Sequence, residues 1–187
     1  KKLICTSYKG SRLIENLSLS DNNNIKLNNN SAYVLVVKKI PSVCDEPLTD
    51  DEVLNYLKKK GNVKKLNGDG DFQSEECIKF LKESDIVVTN PPFSKFTILF
   101  SLLVKHNKKY LLIGNQNAIT YKNVFPLIKN GKAWIGHRFG DMSFKVPNDT
   151  QPRKTRFWID DSGQKWRSLG NAMWLTNLDN KRKHKGL

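Results

Sequence analysis

The sequence predicts an α/β fold, a mostly parallel sheet finished by an antiparallel edge toward the C-terminus. Three observations carry this expectation. In the middle of the chain, short apolar runs at residues 85–89 and 110–113 alternate with amphipathic helical patterns. The connections between them are short, as in strand–helix–strand units. From Lys132 onward, helical periodicity gives way to short aromatic runs separated by turn residues.

Taken in order, residues 3–8 read as a short strand, and residues 9–31, with two Asn triplets, as a surface loop or hairpin. Residues 33–37 are a strand. Thr49 and Glu52 form a capping box, opening a short helix whose buried side is Val53, Leu54 and Leu57 and which ends at Gly61. Ser74 caps a helix with Cys77, Ile78 and Leu81 on its inner face. Residues 85–89 are β-branched and apolar, the pattern of a buried parallel strand, and two prolines stop it. Phe96, Leu99, Phe100 and Leu103 then fall at i, i+3, i+4 and i+7, one stripe of a helix. Residues 110–113 are a second strand, and Val124, Phe125 and Ile128 belong to a helix closed by Gly131. Short strands are expected at residues 133–135, 142–146, 156–159 and 173–175. The basic run at residues 181–185 is a solvated end or a phosphate contact.

At 187 residues the chain has the size of one domain. Its longest apolar runs are too short to cross a bilayer, and no charged-then-apolar leader opens it. Cys5, Cys44 and Cys77 are odd in number, widely spaced and without clustered histidines. That argues against a disulfide framework or a metal site and for a reducing cytoplasm. Lys and Arg number 32 against 18 acidic residues, a net charge of +14. Such a surplus suggests a polyanionic partner, because clustered cations gain free energy by releasing phosphate counterions.

The chemistry concentrates at Asn90-Pro91-Pro92-Phe93, just beyond a strand. In open α/β sheets, ligands bind beyond the carboxyl ends of the strands. Two prolines fix two φ angles, remove two backbone donors and hold the preceding Asn extended. The result is a rigid loop offering an amide oxygen, carbonyl oxygens and an aromatic face, which suits a planar molecule bearing an amino group.

These four residues resemble the catalytic motif of methyltransferases that act on amide or aromatic-ring nitrogens. A closer likeness, to the EcoRI-type adenine-specific DNA methyltransferases, spans nearly the whole chain. It rests on Gly70-Asp71-Phe72 with Ser74, on residues 85–94, on residues 113–121 and on Trp174-Leu175-Thr176-Asn177-Leu178-Asp179. The resemblance implies a Rossmann-like fold dependent on S-adenosylmethionine, with residues 1–187 as a single catalytic domain. Residues 132–187 would form its aromatic and basic C-terminal β part, a DNA-contact region that includes Arg138, Arg153, Lys154, Arg156, Lys165 and Arg167.

By the same resemblance, Asn90 and the Pro91 carbonyl accept hydrogen bonds from the target amine, Pro92 holds the loop rigid and Phe93 stacks on the base. Asp71 accepts from the adenine amino group of the cofactor and Phe72 packs on its ring. Asn115 and Asn117 either line the base pocket or serve as caps and turn residues. The partner is double-stranded DNA, with no metal and no membrane. The glycine-rich cofactor loop of such enzymes is not found, and neither is the acidic residue that holds the cofactor ribose. Since the chain opens on Lys rather than Met, the glycine-rich loop is expected in a preceding segment, whereas Ser7-Tyr8-Lys9 stands where the acidic residue should be. Two alternatives remain at this stage: an RNA methyltransferase with the same motif, and an inactive nucleic-acid-binding module of the same fold.

Overall fold

The computed structural model describes residues 2–11, 30–38 and 62–179, together with Thr49, Glu52, Val53, Asn55, Tyr56 and Lys59. The side chains of residues 137–140 lie outside the description. Most of the loop expected at 9–31, Leu54, Leu57, Gly61, Cys44 and the basic run at 181–185 also lie outside the described residues. The chain divides into two compact units, Lys1–Ser84 and Asp85–Leu187.

In the first unit, β1 (Leu3–Thr6), β2 (Tyr33–Val37) and β3 (Asn62–Lys65) form a three-stranded antiparallel sheet in that order. Val34 and Val36 alternate along β2, and Ile4 sits opposite Val36. Ile4 and Val36 pack against a buried cluster of Ala32, Val34, Leu66 and Cys77, which Phe80 also joins. Cys77 and Phe80 come from α1 (Glu75–Glu83). This helix starts where the sequence places its cap: the Cys77 N–H donates to Ser74 Oγ at 3.2 Å, and Glu75 and Glu76 occupy the first turn. Ser74→Ala is therefore expected to lower stability by about 1 kcal/mol in urea unfolding. Burial pushes the Cys5 and Cys77 thiols up, as expected of small packed side chains. The capping box at Thr49 and Glu52 is present, with the Thr49 N–H donating to Glu52 Oε2 at 2.8 Å and the Glu52 N–H to Thr49 Oγ1 at 3.3 Å. Val53, expected on the buried side of that helix, is instead exposed.

In the second unit, β4 (Ile86–Thr89), α2 (Phe96–Lys105) and β5 (Lys109–Asn115) make a strand–helix–strand crossover, and β4 and β5 pair in parallel. Phe96, Leu99, Phe100 and Leu103, the predicted stripe, are all buried. Phe100 stands edge-on to Tyr110 of β5 at 5.4 Å between ring centroids. Tyr110 is so enclosed that burial pushes its phenol up to about 12. After β5 come α3 (Phe125–Lys129), β6 (Trp134–Lys145), β7 (Phe157–Ile159) and β8 (Lys165–Thr176). The sheet order is β4-β5-β8-β6, with β7 also on β8. Asn177 ties the end of β8 to the start of β5, accepting from the Tyr110 N–H at 2.8 Å and donating to the Lys108 carbonyl at 2.9 Å.

Three expectations need correction. The fold is mixed α/β, but its sheets are mostly antiparallel: of the six strand pairings described, only β4–β5 is parallel. A parallel pair needs a crossover such as α2, and apolar runs alone do not encode strand direction. The C-terminal antiparallel edge is as expected, with β8 running opposite to both β5 and β6. Second, β4 is an edge strand among those described, so Ile86 and Val88 are exposed rather than buried. Third, the separate strands expected at 133–135 and 142–146 fall on one strand, β6, whose register shifts between Ile135 and Phe139 and again between Gly140 and Met142.

The turn joining β7 to β8 is built around Asp160. Its Oδ1 accepts from the N–H groups of Ser162 and Gln164, each at 3.0 Å, and from Ser162 Oγ at 2.6 Å; Oδ2 accepts from Trp166 Nε1 at 2.7 Å. The Ser162 hydroxyl first, then the Trp166 indole, holds this carboxyl down at about 2, against an ordinary 3.8. A depressed carboxylate contributes stability above its unfolded pKa and loses it as pH falls through the folded value. Tryptophan fluorescence is therefore expected to report loosening of this turn between about pH 4 and pH 2. In Asp160→Asn that acid transition should be absent.

Candidate active site

Asn90 leaves the carboxyl end of β4 exposed, Pro91 is buried beneath the loop, and Phe93 remains 47% exposed. Pro92, at φ −53° and ψ 132°, leads into a 3-10 turn (Phe93–Lys95) in which the Lys95 N–H donates to the Pro92 carbonyl at 2.9 Å. That turn runs directly into α2. The loop is thus pinned at both ends, by strand and by helix, while the Asn90 amide and the Phe93 ring face outward.

Thr89 pairs with Leu112, and β5 continues three residues further to Asn115. Because β4 and β5 are parallel, Asn90 and Asn115 lie at the same edge of the sheet. Asn115 Oδ1 accepts from the Asn117 N–H at 2.9 Å and caps a 3-10 turn (Gln116–Thr120). The Asn117 carbonyl accepts from Thr120 Oγ1 at 2.8 Å, and its side chain is exposed. Of the two readings open for Asn115, capping is the one its hydrogen bond supports.

Phe96 supports the site, a role that no sequence motif marks. A Cβ on Gly114 would lie 2.6 Å from the Phe96 ring, so β5 carries glycine there because the first aromatic of α2 fills the space. Tyr121 stands edge-on to the same ring at 6.4 Å between centroids. Gly114 and Tyr121 thus brace the first residue of the helix that follows the Asn-Pro-Pro-Phe loop. The only signal for this was the spacing of Phe96 on its helical stripe.

Asp71 and Phe72 belong to the first unit, whereas Asn90, Pro91, Pro92, Phe93, Asn115 and Asn117 belong to the second. Gly70 has φ +80°, and a Cβ there would lie 2.1 Å from the Ser7 carbonyl oxygen. The Lys9 N–H donates to the Asp69 carbonyl at 2.9 Å, so the loop is tied down beside the end of β1. Asp71 Oδ1 accepts from the Gln73 N–H at 2.9 Å, and Phe72 is half-buried. Among the described residues, no group of three His, Cys, Asp or Glu side chains is placed to hold a metal ion.

The chain that carries this Asn-Pro-Pro-Phe loop is matched over its whole sequence by a family model. That model, described as the EcoRI adenine-specific methyltransferase, covers residues 1–187. The chain belongs to this family. It is similar to the type II methyltransferase M.EcoRI of Escherichia coli, 48% identical over 128 residues, which is 67% of this chain and 39% of that protein. It also resembles two mycoplasma type II methyltransferases. M.MgeORF184P of Mycoplasma genitalium is 36% identical over 77% of this chain and 46% of that protein; M.MpnI of Mycoplasma pneumoniae is 36% identical over 78% and 47%. The matched part of the chain therefore covers less than half the length of each of these curated relatives. No solved structure matches it.

For a member of the EcoRI methylase family, the basic C-terminal part divides into structural and outward-facing cations. Lys165 Nζ donates to the Thr150 carbonyl at 3.1 Å and so braces the loop between β6 and β7. Arg156 has φ +57°, and its guanidinium covers Gly170, where a Cβ would lie 2.1 Å from Cζ. Arg153 and Lys154 are exposed, and Arg167 is half-buried. The Arg138 side chain lies outside the described residues.

Proposed function

We propose that this chain supplies the catalytic part of a site-specific enzyme that methylates the exocyclic amine of adenine in double-stranded DNA, in a restriction–modification setting in the bacterial cytoplasm. The observation carrying this reading is the Asn90–Phe93 loop, rigid at the sheet edge, with Pro91 buried and Phe93 exposed. On this reading residues 1–187 act as one catalytic domain, and residues 132–187 contribute DNA contacts.

The Asn90 side-chain oxygen and the Pro91 carbonyl accept the two amine hydrogens of adenine. Holding both hydrogens draws the nitrogen out of conjugation with the ring and frees its lone pair for in-line attack. Phe93 stacks on the extruded base; such stacking is worth on the order of 1–3 kcal/mol, against the few kcal/mol needed to flip a base. Asn117, exposed at the same edge, borders the base, while Asn115 shapes the turn.

The donor set at Asp71 and Phe72, a carboxylate beside a half-buried aromatic ring, fits the amino group and ring of an adenosine. These two residues would hold S-adenosylmethionine, which supplies an electrophilic methyl group. Gly70, at φ +80°, fixes the turn that leads into both residues.

The test is incubation with a labelled methyl donor and duplex DNA, adenine-free duplex or RNA. Label entering only adenine-containing duplex supports the reading. Label entering RNA instead would replace the substrate, and label entering adenine-free DNA would refute adenine as the target.

A further inference from the structure

Beyond the reacting loop, the second unit carries an aromatic platform assembled across three strands. Lys145 of β6 and Trp158 of β7 are both register partners of Trp166 of β8. Residues opposite one another in a sheet share a face, so all three side chains stand in one row. The two indoles lie 6.2 Å apart between centroids with an interplanar angle of 4°, and Lys145 Nζ lies 5.7 Å from the Trp166 ring. Trp166 is itself fixed by its hydrogen bond to Asp160.

We propose that this platform is a DNA-contact site in which the outer face of Trp158 takes a nucleobase while Lys145 meets a phosphate. The inference rests on the proposed DNA substrate and names a surface outside the reacting loop. A cross-strand indole pair by itself stabilises a hairpin. Here Trp158, the outer member, remains 41% exposed, although an indole is among the side chains that gain most from burial. Its orientation is set in advance by Trp166, so little side-chain freedom remains to be lost on binding. Arg153 and Lys154, exposed in the loop before β7, add positive charge to the same strand connection of a chain whose net charge is +14. The acidic group bonded to Trp166, Asp160, has both carboxylate oxygens engaged within the turn. A flat apolar face beside cations matches a base next to its phosphates better than it matches an acidic protein surface.

The experiment measures binding of the full chain to a fluorescein-labelled, adenine-containing duplex by anisotropy over a salt series, with methyl transfer followed in the same samples. Trp158→Ala is expected to weaken binding about tenfold, and Trp158→Phe to recover most of it. Lys145→Gln should lower the salt slope by about one. A purely structural platform would not move that slope. Wild-type tryptophan emission should be quenched by DNA, with the quench reduced in Trp158→Phe. Wild-type affinity in Trp158→Ala, or an unchanged salt slope in Lys145→Gln, would overturn the proposal, and so would tighter, Trp158-dependent binding of RNA. Methyl transfer by the wild type with unaltered binding by both variants would sink this inference alone. Variant-sensitive binding without transfer, in a chain that also carries the segment with the glycine-rich loop, would sink the enzyme reading and leave the platform standing.

Discussion

Asn90→Ala is expected to reduce methyl transfer by about a hundred- to a thousandfold, or about 2.7–4 kcal/mol of transition-state stabilisation. The reduction should fall on kcat with little change in KM, because the lost acceptor acts most strongly as the amine nitrogen turns tetrahedral. Asn90 is exposed at the end of β4, so the variant should unfold within about 0.5 kcal/mol of wild type. Asn90→Asp keeps an acceptor in place and is expected to retain more activity than the alanine variant. Single-turnover transfer to an adenine duplex, with urea unfolding as the control, checks both. Equal activity in wild type and Asn90→Ala would remove this loop from the chemistry.

What was legible beforehand follows from what each pattern encodes. The stripe Phe96, Leu99, Phe100 and Leu103 has one explanation, a helix with one buried face, and all four are buried. The β4–α2–β5 crossover followed from it, since an apolar run on either side of such a helix has a parallel sheet as its simplest home. The Asn-Pro-Pro-Phe loop was legible because proline restricts the backbone whatever surrounds it.

Other features depend on partners that no local pattern names. β3 went unrecognised: Asn62-Val63-Lys64-Lys65 offers one apolar residue, and it pairs only because β2 presents a free side to it. Strand direction in the first unit was equally hidden, since alternation along β2 is the same in either orientation. At the site, the residues bracing the loop are Phe96, Gly114 and Tyr121, whose meeting is a product of folding. Their chemistry is ordinary, so nothing in the sequence marked them. Asn115 was visible as a residue at the right strand end, and its capping role emerged only from the hydrogen bond to Asn117.

The two glycines of Gly68-Asp69-Gly70-Asp71 look equivalent in sequence and are expected to behave very differently. Gly70→Ala places a Cβ 2.1 Å from the Ser7 carbonyl oxygen and 2.8 Å from Ala32 Cβ, at a φ of +80°. The left-handed conformation costs about 1–2 kcal/mol for an L-residue, and overpacking against fixed backbone adds about 1–3 kcal/mol. A total loss of about 2–5 kcal/mol is expected in urea unfolding. Gly68→Ala meets nothing within 4 Å and should change stability by less than about 0.5 kcal/mol. The site should feel the difference too. Gly70 holds the segment between the Lys9–Asp69 hydrogen bond and the cap of α1, and Asp71 and Phe72 lie in it. If those two side chains hold the adenosine of the methyl donor, Gly70→Ala should raise the donor concentration needed for half-maximal transfer by about tenfold, while Gly68→Ala leaves it unchanged. A destabilised Gly70→Ala chain with wild-type donor affinity would keep the packing argument and remove Asp71 and Phe72 from the cofactor site. Equal stability in the two variants would contradict the close approach of Gly70 to Ser7 itself.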